Sequence, residues 1–288
     1  MEAKSVNQDM GSASVPKLML NLAIPAVIAQ LINMLYNIVD RIYIGHIPQA
    51  GASALTGVGL FLPILMMINA FAMLAGSGGA PRAAISMGKN DRESAQKILG
   101  NCFSVLMMFA LVLTIGFYIF APQLLRLFGA SDVTLPYALE YARIYILGTV
   151  FVMIVMGMNP FITTQGFAKF SMITTVMGAV CNIVLDPILI FVLDMGVKGA
   201  AVATVISQAV SAVWVLFFLT GKKTMLRLAA SNMRLEFDVI FPCLALGIST
   251  FVMLSTESIL NISFNSSLSR YGGDVAVGAM TIISSCSQ

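Results

Sequence analysis

From residue 18 onward the chain is a series of apolar runs, each long enough to cross a bilayer, separated by short polar hinges. A spanning helix needs about 20 consecutive, mostly apolar residues, because a backbone in hydrocarbon must satisfy its hydrogen bonds internally. Runs at 18–44, 54–80, 94–121, 136–163, 168–193, 197–219 and 239–267 meet that length, and another opens near 274. Membrane barrel strands would be about 10 residues long and alternating; these runs are neither. The expected fold is an all-α integral membrane protein with many passes. Composition agrees: only 10% of the residues are charged, against about a quarter in an average soluble domain.

Lys and Arg set the orientation. With the N-terminus in the cytoplasm, Lys4, Lys17, Arg82, Lys89, Arg92, Lys97, Lys169, Lys222, Lys223, Arg227 and Arg234 fall inside. Arg41, Arg126, Arg143, Lys198 and Arg270 fall at or near the outer side. The net charge of +3 then reflects cytoplasmic loops and not a nucleic-acid surface. Residues 1–17 are polar, carry two acids and lack the pattern of a secretory signal peptide. Cys102, Cys181, Cys243 and Cys286 lie in apolar runs without metal-ligand spacing, as buried packing residues do.

The longest inner loop, "GKKTMLRLAASNMRLEFD" at 221–238, reads as a linker between two six-helix halves. That divides the chain into a first lobe at 18–220 and the start of a second at 239–288. The run from 274 reaches "MTIISSCSQ" without a polar flank, which suggests an N-terminal fragment of a longer protein. Two stretches support an internal repeat. "LAIPAVIAQ" (22–30) and "ASALTGVGL" (52–60) are echoed by "LALGISTFV" (244–252) and "DVAVGAMTI" (274–282). Aligning Ile24 with Ile248 gives an offset of 224, and Ala54 with Ala276 gives 222. An even number of helices between copies predicts a parallel repeat of the kind common in secondary transporters.

Three acids stand inside apolar helices: Asp40, Asp186 and Glu257. A charge near the bilayer centre costs about 2.5–3.5 kcal/mol on insertion scales. Asp186 is about eight residues from the outer end of its helix, roughly 12 Å deep at ~1.5 Å per residue. Asp40 and Thr204 lie at similar depths, so the three can share a polar chamber in the outer half. Asn182 and Asp186 are spaced i, i+4 and project from one face. Pro187 lacks an N–H and should free a backbone carbonyl. These oxygens suit a cation or a proton. The competing reading pairs Asp40 with its neighbour Arg41 and makes Asp186 a buried structural hydrogen-bonder. Glu257 has Ser255, Thr256, Ser258 and Asn261 around it, which suggests a hydrated cavity or, alternatively, a helix-packing contact. Pro25, on the same helix as Asp40, permits a kink and reads as a hinge or a static bend.

At these residues the chain resembles the multidrug and toxic compound extrusion (MATE) transporter family. "IPAVIAQLINMLYNIVDRIYIGH", with Pro25, Asp40, Tyr43 and Gly45, resembles the family's first helix. "NIVLDPILIF" resembles its fifth, "GVKGAAVATVISQ" the start of its sixth with Thr204, and "MNPFITTQG" the end of its fourth with Asn159. The resemblance implies a twelve-helix fold in two six-helix lobes. This chain would hold the first lobe, helix seven and part of helix eight. It also implies an antiporter that expels cationic, amphipathic compounds in exchange for H⁺ or Na⁺, as a monomer in the bacterial inner membrane and without a cofactor. Asp40, Asn182, Asp186 and Thr204 would form the coupling-ion site. Asn159, nearer the cytoplasmic end by depth, would be a further member, and Glu257 would be the acid of the second lobe.

Methionines and Phe61, Phe71, Phe151 and Phe161 are candidate walls of an adaptable cavity, or ordinary packing. A flippase for lipid-linked saccharides is the alternative within transport. It would need a basic cavity for a pyrophosphate, and Arg143 is the base that sequence depth embeds. A membrane enzyme would need a catalytic cluster, but the single histidine, His46, sits at a loop edge.

Overall fold

The computed structural model describes residues 15–48, 50–221 and 224–287. These form α1 (Val15–Gly45), α2 (Gly51–Gly88), α3 (Arg92–Leu127), α4 (Leu135–Leu147), α5 (Thr149–Thr164), α6 (Ala168–Pro187), α7 (Gly196–Thr220) and α8 (Phe237–Ser287). A π turn at Ile188–Val192 and a 3₁₀ turn at Ala230–Asn232 complete the set. Lys4, Lys222, Lys223 and most of the polar N-terminal segment lie outside the described residues.

Six helices among the described residues are long and apolar enough to cross a membrane, and the bent pair α4–α5 makes up to seven. The run at 136–163, expected as one helix, is two helices bent by 57°. The bend falls at Gly148, against which α7 presses Val205: a Cβ there would stand 2.7 Å from Val205 Cγ2. At the C-terminal end α8 is interrupted at Gly273, whose φ of 67° and ψ of −171° leave the helix. Such a conformation is essentially restricted to glycine, so the helix expected near 274 begins there. On α1 the helix continues through Pro25 without a break.

α2 is the spine. It packs against α8, α5, α3 and α4, which is why it is apolar on every side while α1 and α3 keep long exposed apolar faces. Glycines allow α2 and α8 to touch backbone to backbone, the close approach that small residues permit between membrane helices. A Cβ on Gly78 would overlap the Cys243 carbonyl, and one on Gly247 would overlap that of Leu74. At the other end of α2, Gly59 faces Thr281 and Thr56 faces Gly278. Each of these pairs is 222 residues apart, the offset read from the repeat. Equivalent residues meet each other where two copies are related by a two-fold axis.

Residues 224–236 are strapped to the helices before them. Gln165 Oε1 accepts from Thr224 Oγ1 at 2.6 Å and from the Met225 and Leu226 amides at 3.0 and 2.9 Å. Asn101 Oδ1 accepts from the Glu236 amide at 2.6 Å, and Ser104 Oγ donates to the Met233 carbonyl at 2.6 Å. In sequence this segment reads as a plain linker, because its anchors are single polar side chains on distant helices.

Candidate functional site

Four helices meet at the cluster. On α1, Asn33, Tyr36 and Asp40 recur at i, i+3 and i+7 and therefore share one face. α6 supplies Asn182 and Asp186 one turn apart, α7 supplies Thr204, and α4 supplies Tyr141 and Tyr145. Asp40, Asn182, Asp186 and Thr204 are 3%, 1%, 0% and 3% exposed, so water does not solvate them from outside the bundle. Pro187 closes α6, and the chain continues as the π turn Ile188–Val192. A proline next to a π segment is how a helix accommodates the missing N–H. The turn also brings Phe191 edge-on to Tyr43 of α1, with ring centroids 6.2 Å apart.

The hydrogen bonds form a connected set. Asn182 Nδ2 donates to Asp186 Oδ1 at 3.4 Å and to Thr204 Oγ1 at 3.3 Å. Thr204 Oγ1 donates to the Ala200 carbonyl at 2.9 Å. Arg41 Nη1 stands 3.2 Å from Asp40 Oδ2. The buried Asp40 and Asp186 carboxyl groups lie close enough to act on each other electrostatically. Two ionised carboxylates so placed repel each other, so the pair favours one positive charge near it, a proton or a cation. With Arg41 counted, the fully ionised set carries one net negative charge, which one such ion neutralises.

Among the described residues, three buried acceptors of the cluster have no protein partner: Asp40 Oδ1, Asp186 Oδ2 and Asn182 Oδ1. Leaving a buried polar atom unpaired costs about 1–3 kcal/mol. Three on one cluster mark a place where a proton, a hard cation or water is accommodated. Oxygen donors of this kind suit Na⁺ as well as H⁺.

Of the residues expected at the site, Asn182, Asp186 and Thr204 are joined by hydrogen bonds, and Asp40 is buried near Asp186 with Arg41 as its partner. Asn159 is not joined to them: its amide donates to the Ser171 carbonyl at 3.5 Å, further along the bundle. Glu257 is exposed on α8, while its neighbour Ser258 faces the spine and donates to the Pro63 carbonyl at 2.9 Å. Arg143 is exposed on α4; the base embedded beside the cluster is Arg41, whose side chain is 10% exposed. Depth along a helix misplaces Arg143 because it carries no information about which face is covered. Phe61 and Phe161 are fully buried packing, Phe61 against Tyr141 and Tyr145 at 5.5 and 5.0 Å. Sequence reasoning misses Tyr141 and Tyr145 altogether, since an i, i+4 tyrosine pair gives no polar signal in an apolar run.

Known proteins were compared with the chain. The MatE family model matches residues 25–188. The multidrug export protein MepA of Staphylococcus haemolyticus is 26% identical over 260 residues, which is 90% of this chain and 57% of that protein. Among solved structures, a ligand complex of the MATE multidrug transporter DinF-BH superposes with a TM-score of 0.90 at 36% identity, over 96% of this chain and 61% of that one. An outward-facing multidrug resistance MATE family transporter of the MOP superfamily gives 0.83 at 26% identity, over 99% of this chain and 66% of that one. The chain therefore spans a little over half the length of the curated relative and under two thirds of DinF-BH.

Proposed function

Given that the chain belongs to the MatE family of multidrug exporters, we propose that its full-length protein is a secondary antiporter. It expels cationic amphipathic compounds in exchange for H⁺ or Na⁺, and the Asp40–Asp186 pair is the coupling-ion site of its first lobe. The observation that carries this reading is the placing of two buried carboxyl groups within electrostatic reach of each other, with three unpartnered acceptors among them and Asn182, and with Arg41 as the opposing charge.

The lobe boundaries at 18–220 and 239–288, the linker at 221–238 and the cytoplasmic N-terminus form the frame of the proposal, in a bacterial inner membrane and as a monomer. An ion entering from outside neutralises the pair and lets α1 close on α6, with Pro25 as the hinge. Loss of the ion to the cytoplasm restores one negative charge and opens the pair again. The ion and the substrate act on one conformational equilibrium, each through its differential affinity for the two states. That DinF-BH binds a small-molecule ligand supports a drug-sized substrate, and a site that cycles through a net negative charge favours a cationic one. Against the flippase alternative, the base beside the pair is bound to Asp40 and so is not presented to a pyrophosphate.

The test is efflux of ethidium from cells expressing the full-length protein, with proton and sodium gradients collapsed separately. Asp40→Asn and Asp186→Asn are each expected to abolish efflux, and the double variant to be no worse than either, because the two act as a unit. Normal efflux in both single variants would sink the coupling-site assignment.

A further inference from the structure

Next to the acid pair, a cavity of about 50 Å³ lies between α1, α5, α6 and α7, lined by Asn33, Asn182, Thr204, Ser207, Gln208 and Ser211 among others. A polar cavity of that size has room for water. Two buried acceptors on its wall, Asn182 Oδ1 and Gln208 Oε1, have no protein partner. Asn182 is 1% exposed, so a molecule inside the bundle has to satisfy it. Among the described residues, no charged side chain contributes to the lining.

The cavity has a direction. Its α6 side includes Asn182, Gly178 and Thr174, one turn apart in sequence, and its α7 side is Thr204, Ser207, Gln208 and Ser211. That extends about 12 Å at ~1.5 Å per residue, from the acid cluster toward the end of the bundle where α6 starts and α7 finishes. Gly178 keeps the file open: a Cβ there would stand 2.6 Å from Ser211 Oγ. Ser211 Oγ donates to the Thr174 carbonyl at 3.1 Å, and Thr174 Oγ1 to that of Phe170 at 3.2 Å. One turn further, Phe170 stacks on Trp214 at 4.9 Å and 11°, and Phe218 packs on Phe170 at 4.5 Å. An apolar lid therefore follows the polar file.

We propose that this cavity is the cytoplasmic limb of a proton path, a short water file running from Asn182 past Ser207, Gln208 and Ser211, with the Phe170–Trp214 stack as its gate. The inference rests on the acid pair being the coupling site. A proton leaving the pair passes to the adjacent water, the file transfers it by exchange, and it emerges as the stack parts; the pair regains its negative charge. Hydroxyl and amide dipoles order such a file without trapping the charge, as an additional carboxylate would.

The experiment uses the full-length protein in proteoliposomes that contain a pH dye, with ethidium as substrate. Gly178→Val fills the file, and Ser207→Val with Gln208→Leu removes its dipoles. Both are expected to slow ethidium-coupled proton flux about tenfold while ethidium binding stays at the wild-type level. Phe170→Ala is expected to open the gate and give proton leak in the absence of ethidium. Gln208→Met, nearly isosteric, serves if Gly178→Val fails to fold. Coupled proton flux within about twofold of wild type in a cavity variant that binds ethidium normally would overturn the path. Asp40→Asn and Asp186→Asn run alongside. If they keep full flux, the coupling-site reading itself has failed; if they lose it while the cavity variants keep it, only the path has failed.

Discussion

Arg41 Nη1 lies 3.2 Å from Asp40 Oδ2, an ion pair between adjacent residues whose side chains are only 10% and 4% exposed. Adjacent residues on a helix diverge by about 100°, so the long Arg41 side chain must fold back along the bundle to reach its neighbour. Removing one partner of such a buried pair typically costs about 3–5 kcal/mol, because the other charge is left without compensation. Arg41→Leu is therefore expected to lower the melting temperature of the purified full-length protein markedly. Arg41→Lys should lower it less, and adding Asp40→Asn to Arg41→Leu should recover part of the loss. An Arg41→Leu protein that melts with wild type would show that the pair does not support the fold.

Thr204 is the hydroxyl around which the cluster turns, accepting from Asn182 and donating to Ala200. Thr204→Val keeps the shape and removes every one of these bonds, leaving partners unsatisfied at about 1–3 kcal/mol. We expect ethidium efflux to fall by about tenfold or more, and Thr204→Ser to stay near wild type. Equal efflux by Thr204→Val and wild type would contradict the arrangement.

The glycines of the helices separate by what they face. Gly78→Ala should destabilise by about 1–3 kcal/mol as an overpacked site, since its new methyl would overlap the Cys243 carbonyl and force α2 and α8 apart. Gly116 lies within α3 with nothing within 4 Å of a built Cβ. Gly116→Ala should therefore stabilise by about 0.5–1 kcal/mol through helix propensity alone. Thermal melting of the two variants should move in opposite directions; movement of both the same way would refute the close approach.

Asp91 caps α3, accepting from the Ser94 amide at 3.0 Å. The hydrogen bonds to the Ser94 side chain and backbone hold its carboxyl below the ordinary carboxylate value. A depressed folded value means that the stabilisation is present above the unfolded value, near 4, and disappears as pH falls through the folded one. Asp91→Ala should thus melt below wild type at pH 7, and the gap should narrow in the acid range below that value. A gap independent of pH would show that the charged cap is not its cause.

Several elements are legible in the sequence. The spans at 54–80 and 197–219, and the helix restarting near 274, follow from apolar length alone, and Asn182 and Asp186 share a face by helical spacing. The two readings of Asp40 are not exclusive: it pairs with Arg41 and also lies within electrostatic reach of Asp186. The bend at Gly148 is not legible, because it depends on Val205 arriving from another helix. Nor is the pairing of residues 224–236 with Gln165 and Asn101, which rests on contacts across 59 to 135 positions.

The sequence by itself determined that the chain spans a membrane as helices, and which few polar side chains carry the cost of lying inside them. Both follow from local quantities: hydrophobic length, helical period and the solvation of a charge. Only the tertiary structure decided how those side chains combine. It set Asp40 of α1 within electrostatic reach of Asp186 of α6, placed Arg41 rather than Arg143 against Asp40, and left a cavity beneath Asn182. Which face of a helix is covered, and by what, depends on the packing of helices distant in sequence, and a periodic apolar pattern is nearly silent on that when every face is apolar.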